Sequence, residues 1–405
     1  MAIDVRPVAD LDEFLGALLS IGQYFGMERD VERAERFSKN LPLDRMHAAF
    51  EDGQIVGGAG AFPFELAIPG GSVPCAGVTV VGVYPTHRRR GILRSMMRAQ
   101  LDDVRERGEP IAALWASEES IYGRFGYGMA SYTGEIALAR EHNEFVRPLE
   151  PRGRVRLLSP DEALEQLPPV WERALSWTPG MFSRPRNWWE YRIVADPPDR
   201  RQGGGPKRFA LLEVDGEAAA YAIYRHHFSF HEGSSSSRVD VAEAIAATPG
   251  ATAEIWRFLL DIDWTATLAA GLLPIDHPLF FLLGKPRRMK FRVSDGLWVR
   301  LVDVGEALSR RAYAGDGEVV FEVSDAFCPW NEGRWKLAGA ACERTDDEPD
   351  LRCDVTALGS VYLGGFTFAE LQRALRVEEL RPSAIDRADA VFRRTGVAPW
   401  CPEIF

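Results

Sequence analysis

Long hydrophobic runs are missing from this sequence. No apolar stretch approaches the roughly 18 residues that a membrane-spanning helix needs. The N-terminus lacks the basic-then-apolar pattern of a secretory signal, so a cytoplasmic protein without a membrane partner is expected. Cysteine is scarce. Cys75, Cys328, Cys342, Cys353 and Cys401 are scattered, odd in number and without a Cys-x-x-Cys pair. Neither a zinc site nor a disulfide framework is supported, and no metal is expected. Positive charge is in deficit: 48 Lys and Arg face 59 Asp and Glu, a formal net charge of −11. That balance argues against nucleic acid as a partner and is compatible with cationic substrates. Apolar residues are plentiful at 46%, enough for packed cores, and the 405-residue length suggests two or three domains.

The stretch that organises the chain is residues 78–94, Val-Thr-Val-Val-Gly-Val-Tyr-Pro-Thr-His-Arg-Arg-Arg-Gly-Ile-Leu-Arg. Its β-branched, apolar start reads as an interior strand. Arg88, Arg89 and Arg90 follow directly, then Gly91, where a ligand can approach the backbone. A helix begins at once, so unpaired amides, the positive end of the dipole and guanidinium groups converge. A pyrophosphate suits such a site.

Around it the pattern predicts a helix over residues 10–20, with Leu11, Phe14, Leu15, Leu18 and Leu19 on one stripe, and another over 31–37. A hairpin follows, with strands at 46–50 and 55–62 about Asp52-Gly53, then a third strand at 64–68. The helix over 91–107 buries Ile92, Leu93, Met96, Met97, Leu101 and Val104, and Gly108 and Pro110 end it. A buried strand at 111–116 leads to Ser117-Glu118-Glu119-Ser120, which opens a short helix carrying Tyr122. Strand segments over 127–138 are expected to close the first domain.

These residues carry a resemblance. Arg88, Gly91 and Leu93 occupy the defined positions of an Arg-x-x-Gly-x-(Gly/Ala) pattern, Leu93 departing from the usual small residue. The pattern resembles the acetyl-CoA pyrophosphate loop of the GNAT N-acetyltransferases. Pro-Thr-His-Arg-Arg-Arg-Gly at 85–91 and Ile-Tyr-Gly-Arg-Phe-Gly-Tyr-Gly at 121–128 resemble the Eis (enhanced intracellular survival) branch of that superfamily. The resemblance implies an α+β fold with mixed α/β sheets: tandem GNAT folds followed by a sterol-carrier-protein-like α+β domain. The expected boundaries are 1–145, 146–292 and 293–405. It implies acetyl-CoA as cosubstrate, with the pantetheine arm on Val81, Gly82 and Val83. The pyrophosphate would lie on Arg88, Arg89, Arg90, Gly91, Ile92, Leu93 and Arg94, with Ser117 and Glu118 on the far side. It further implies Tyr122 as general acid, the α-carboxylate of Phe405 as general base, a primary amine on an aminoglycoside-like polyamine or a lysine as acceptor, and a homohexamer.

Beyond a polar linker at 140–154, Ser159-Pro160-Asp161-Glu162 opens a helix, and 187–193 reads as another with Trp188 and Trp189. An Asp215-Gly216 hairpin over 208–225 echoes the one at Asp52-Gly53. The strand over 238–246 would match the organising strand, but no arginine precedes the helix that follows it. A second copy that does not bind CoA, and instead walls the acceptor pocket, is expected. After Gly296 come a strand at 297–301, a helix at 304–313, strands at 317–324, 334–338 and 351–355, and closing helices at 369–375 and 384–393. The tail ends apolar at Phe405, where a solvated tail would be polar, so it is expected to be inserted into the protein.

Each candidate has a plainer reading. The arginines could be a solvated helix start, Tyr122 a packed aromatic beside Phe125 and Tyr127, and Phe405 a hydrophobic anchor. Glu403 could itself face the acceptor. Trp188 and Trp189 read first as core or interface; Phe25 and Trp177 are lesser acceptor contacts; His226 and His227 read as strand-end surface residues. Rival functions are a long-chain acyl-CoA N-acyltransferase, since protein N-myristoyltransferases also resemble tandem GNAT folds, and a non-catalytic lipid or ligand carrier.

Overall fold

The computed structural model describes residues 3–231, 233–394 and 396–405. Two compact units divide the chain: residues 1–131, 297–399 and 404–405 form one, and residues 132–296 and 400–403 the other. Among the described residues no helix is long and apolar enough to cross a membrane.

The first unit opens with β1 (Asp4–Pro7), α1 (Leu11–Gly22), α2 (Val31–Ser38), β2 (Met46–Glu51), β3 (Gln54–Ile68), β4 (Gly71–Val83), α3 (Ile92–Glu106), β5 (Ile111–Trp115), α4 (Glu119–Tyr122) and β6 (Gly128–Met129). Asp10 caps α1 by accepting from the Glu13 amide at 2.9 Å. The expected strand at 64–68 is not separate. β3 runs unbroken through it, and a 15-residue strand faces a 13-residue one in a single long hairpin. The seven-stranded sheet has the order β1-β2-β3-β4-β5, then Leu297–Leu301, then β6. β4 and β5 are parallel neighbours joined through α3, as a parallel pair requires. The strand Leu297–Leu301, expected at the start of the C-terminal region, pairs antiparallel with β5 instead.

In the same unit the C-terminal part forms a five-stranded sheet in the order Ala341–Arg344, Gly333–Ala338, Glu318–Ser324, Leu351–Asp354, Val377–Glu379. Helices Phe368–Arg373 and Ala384–Phe392 were legible; helix Val355–Tyr362 was not. Every residue of that helix is buried, Thr356 and Ser360 included, and a helix buried all round offers no one-sided apolar stripe to detect.

The second unit also holds a seven-stranded sheet: Arg292–Asp295, Tyr132–Ala139, Thr267–Leu273, Arg238–Ala246, Glu217–His227, Arg208–Val214, Gly153–Leu158. Of the strand segments over 127–138 expected to close the first domain, β6 joins the first sheet, whereas Tyr132–Ala139 pairs here with Thr267–Leu273. The pleat period of a strand states which side chains share a face, not which backbone it will bond. Arg238–Ala246 pairs parallel with Thr267–Leu273 across helix Pro249–Leu260. The strand, helix, parallel-strand order of β4, α3 and β5 is thus repeated. Both Asp-Gly turns have positive φ at both residues, 50° and 77° at Asp52-Gly53, 52° and 83° at Asp215-Gly216, the conformation a two-residue hairpin loop favours.

Buried in this unit, Arg184 lies 3.3 Å from the Trp171 ring centroid and pairs with Glu243 and with Glu403. Glu403 also accepts from Trp188 Nε1 at 2.9 Å and lies 3.7 Å from Arg192. Trp188 and Trp189 are core residues, His227 pairs with Asp240 at 2.9 Å, and Trp177 is half-exposed.

A cationic cleft where two parallel strands part

The pairing of β4 with β5 covers only Cys75↔Ile111, Ala76↔Ala112 and Gly77↔Ala113. β4 then continues to Val83 and β5 to Trp115 without pairing to each other. A bulge accompanies the divergence: Gly58 faces Gly82 and Gly60 faces Thr79, so the β4 side carries one extra residue. Val80, inside the bulge, has φ +56°. A β-branched residue rarely adopts that conformation, and such strain gathers at functional sites. Gly82 is needed where α1 crosses: a Cβ there would stand 2.6 Å from Ile21 Cβ and 2.8 Å from its backbone nitrogen.

The opening so formed is a cleft of about 750 Å³. Val81, Gly82, Val83, Arg88, Arg89, Gly91, Ile92, Leu93, Arg94, Ser117, Glu118 and Tyr122 all line it, although they come from four segments. Of the sequence-predicted cofactor residues, Arg90 is not among the lining. Its guanidinium forms a two-pronged pair with Glu51 at the end of β2, and that pairing holds the Glu51 carboxyl below its ordinary range. His87 Nε2 meets the same carboxylate at 3.1 Å. Glu51 thereby ties the basic loop to the hairpin.

Arg88, Arg89 and Arg94 differ from Arg90. None makes an ion pair or hydrogen bond among the described residues, and all three are exposed on the cleft. Gly91 starts α3 at φ +82° with no side-chain cap, which leaves the amides of the first turn without intrahelical acceptors. Unneutralised cations and free amides facing one space are a receptor for a ligand with several negative charges.

Tyr122 is 6% exposed, with its ring edge-on to Tyr127 at 6.0 Å. Burial, and then the neighbouring Glu118 carboxylate, push its phenol up to about 12. Ser120 Oγ donates to Glu118 at 3.0 Å. Phe405 is not among the lining residues; its ring is buried edge-on against Phe64 at 4.9 Å. Phe64 in turn covers Gly77, where the two strands part.

Sequence reasoning missed Ile21, Tyr24, His87, Ile121, Arg124 and Phe125 as lining residues. Arg124 and Phe125 lie inside the quoted motif around Tyr122, which was a usable signal. Tyr24 had none: its hydroxyl donates to the Val83 carbonyl at 2.9 Å across 59 residues of sequence. Phe25, weighed as an acceptor contact, lines the cleft and is 68% exposed. Among the described residues no cluster of three or more His, Cys, Asp or Glu is placed to hold a metal.

Known proteins resemble the chain over its whole length. Acetyltransferase (GNAT) domain families match residues 4–130 and 180–301, and a sterol carrier protein domain family matches 304–402. An uncharacterized N-acetyltransferase of Streptomyces avermitilis is 42% identical over 100% of both chains. The N-acetyltransferase Eis of Mycobacterium bovis is 35% identical, covering 84% of this chain and 83% of its own. The crystal structure of Eis1 from Mycobacterium abscessus superposes with a TM-score of 0.84 at 34% identity, over 99% of this chain and 100% of that one. The chain is therefore an acyltransferase of the GNAT N-acetyltransferase family, of the Eis-like kind, with two GNAT domains followed by a sterol-carrier domain.

Proposed function

We propose that this enzyme transfers an acetyl group from acetyl-CoA to a primary amine on a small polycation, such as an aminoglycoside-like polyamine, or on a lysine side chain. The observation that carries the reading is the set of unpaired arginines and capless helix amides at the open end of the parted strands. Arg88, Arg89, Arg94 and the first turn of α3 would hold the diphosphate, and the outer residues of β4, paired with β3 but not with β5, the pantetheine arm. The thioester then points into the narrowing gap, which supplies the proximity that acyl transfer needs.

The amine nitrogen attacks the thioester carbon, the C–S bond breaks, and the sulfur takes a proton while the ammonium loses one. Tyr122 is the proposed donor at sulfur. Burial keeps its phenol protonated throughout the working pH range. So high a pKa makes it a weak acid, and its contribution is a hydrogen bond that strengthens as thiolate charge develops. The α-carboxylate of Phe405 is the proposed base, attracting the ammonium and accepting its proton, directly or through water. The packing of Phe405 on Phe64, which covers the apex of the gap, supports that role. Glu403 is an anchor in this account, since Arg184 and Trp188 already engage its carboxylate. A homohexamer belongs to the same proposal and is tested by sedimentation.

Thiol release from acetyl-CoA in the presence of tobramycin tests the chemistry, comparing wild type with a chain extended by one glycine after Phe405. The extended chain is expected to bind CoA and to turn over at least tenfold more slowly, the loss of a positioned proton acceptor being worth about 10²-fold or more. Equal turnover would remove Phe405 from the mechanism.

A further inference from the structure

Phe327 belongs to the C-terminal part of the chain, between strand Glu318–Ser324 and the turn Pro329–Asn331, and is 5% exposed. Its ring touches two side chains that line the cleft. Phe125 meets it edge-on at 5.0 Å, and the Arg94 guanidinium carbon lies 5.1 Å from its centroid, within cation–π range. Arg98, one turn further along α3, lies on the same ring at 4.9 Å. The two arginines are not equivalent. Arg98 is neutralised by Asp102 at 3.0 Å and donates to the Phe327 carbonyl and to Cys328 Sγ. Arg94 has no carboxylate or hydrogen-bond acceptor among the described residues, only the ring beside it and the cleft it lines.

The segment bearing Phe327 is itself fixed. The Cys328 amide donates to Asp325 Oδ1 at 2.9 Å, and Asp325 Oδ2 accepts from the buried Arg300 at 2.5 Å and from Asn331 at 3.0 Å. An exposed arginine side chain samples many rotamers, and a rigid aromatic surface under its guanidinium reduces that freedom before a ligand arrives.

We propose that Phe327 is a positioning residue for the phosphorylated end of the cofactor, acting through Arg94, so that the sterol-carrier part of the chain helps to shape the cofactor site. This rests on the reading of the cleft as the CoA site. The test combines calorimetric titration of coenzyme A with steady-state kinetics on wild type, F327L, F327Y, R94A and R94A/F327L. F327L is expected to weaken CoA binding and raise KM for acetyl-CoA by roughly threefold to tenfold, with kcat changed far less. F327Y is expected to restore affinity. With S-acetylpantetheine, which lacks the phosphates beyond the pantetheine arm, F327L and wild type are expected to have the same KM. In the R94A background F327L is expected to cost nothing further, because the group it positions is gone. CoA affinity in F327L equal to wild type overturns the inference. So does a loss that persists in R94A, that F327Y fails to restore, or that appears equally with S-acetylpantetheine. If wild type itself does not bind CoA, the reading of the cleft falls and this inference falls with it.

Discussion

At the scale of single residues, the account turns on Tyr122 and the three unpaired arginines. Tyr122→Phe keeps the ring that packs against Tyr127 and removes only the proton donor. Its kcat is expected to fall about 10²-fold or more, while KM for acetyl-CoA stays within about twofold. The pH profile gives a second check. The phenol is pushed up to about 12 by burial and by Glu118, so it remains protonated where an ordinary tyrosine, at about 10, would be half ionised. Wild-type kcat is therefore expected to show no fall centred near pH 10, and a clear fall there would contradict Tyr122 as the donor. The arginines stand out in the sequence because their chemistry is local, whereas Tyr122 is a candidate chiefly through the resemblance of the motif around it. Arg88, Arg89 and Gly91 stand together just before a helix, and the motif around Tyr122 follows a buried strand. Arg90 shows the limit of that reasoning. Sequence cannot tell which arginine of a run will be claimed by a carboxylate, and Glu51 lies 39 residues away.

At the scale of elements, the parting of β4 from β5 creates the site, and a bulge and a close helix crossing hold it. Gly82→Ala would place a Cβ 2.6–2.8 Å from Ile21. That variant is expected to lose about 1–3 kcal/mol of stability, measured by urea unfolding, together with CoA affinity; unchanged stability would mean that α1 does not press on β4 as described. Strands, hairpin turns and amphipathic helices were mostly readable from period and turn chemistry, and both Asp-Gly hairpins fell where expected. The bulge was not readable, since Val80 takes a left-handed conformation without the glycine that would announce it. Strand partners were not readable either. Leu297–Leu301 is expected in the C-terminal region and the segments over 127–138 at the close of the first domain, yet Leu297–Leu301 joins the first sheet, and of those segments Gly128–Met129 does so too while Tyr132–Ala139 pairs elsewhere; backbone pairing over long sequence distances leaves no side-chain mark.

At the scale of the whole molecule, each of the two units buries a histidine whose pKa burial pushes down, His47 in the first and His277 in the second. In the second, His277 is 4% exposed, its ring lies 4.8 Å from that of Trp256, and its Nδ1 accepts from the Leu279 amide at 3.2 Å. Burial pushes its pKa down to about 3. The folded state therefore holds the imidazole neutral, while the unfolded chain titrates near about 6.5. Its contribution to stability is fully present above that value and is lost as pH falls toward 3. His277→Asn, which cannot titrate, is expected to show a flatter loss of stability between pH 6.5 and 4 in urea unfolding; curves parallel to wild type would contradict the assignment. The central claim, that the parted strands of the first unit form a receptor for the anionic end of acetyl-CoA, is tested most directly by calorimetric titration of coenzyme A into wild type and into R88A/R89A/R94A. The account predicts that the triple variant binds at least about 100-fold more weakly, each lost charge-assisted contact being worth roughly 1 kcal/mol or more, with a steeper salt dependence in the wild type. Equal affinity and equal salt dependence would contradict it.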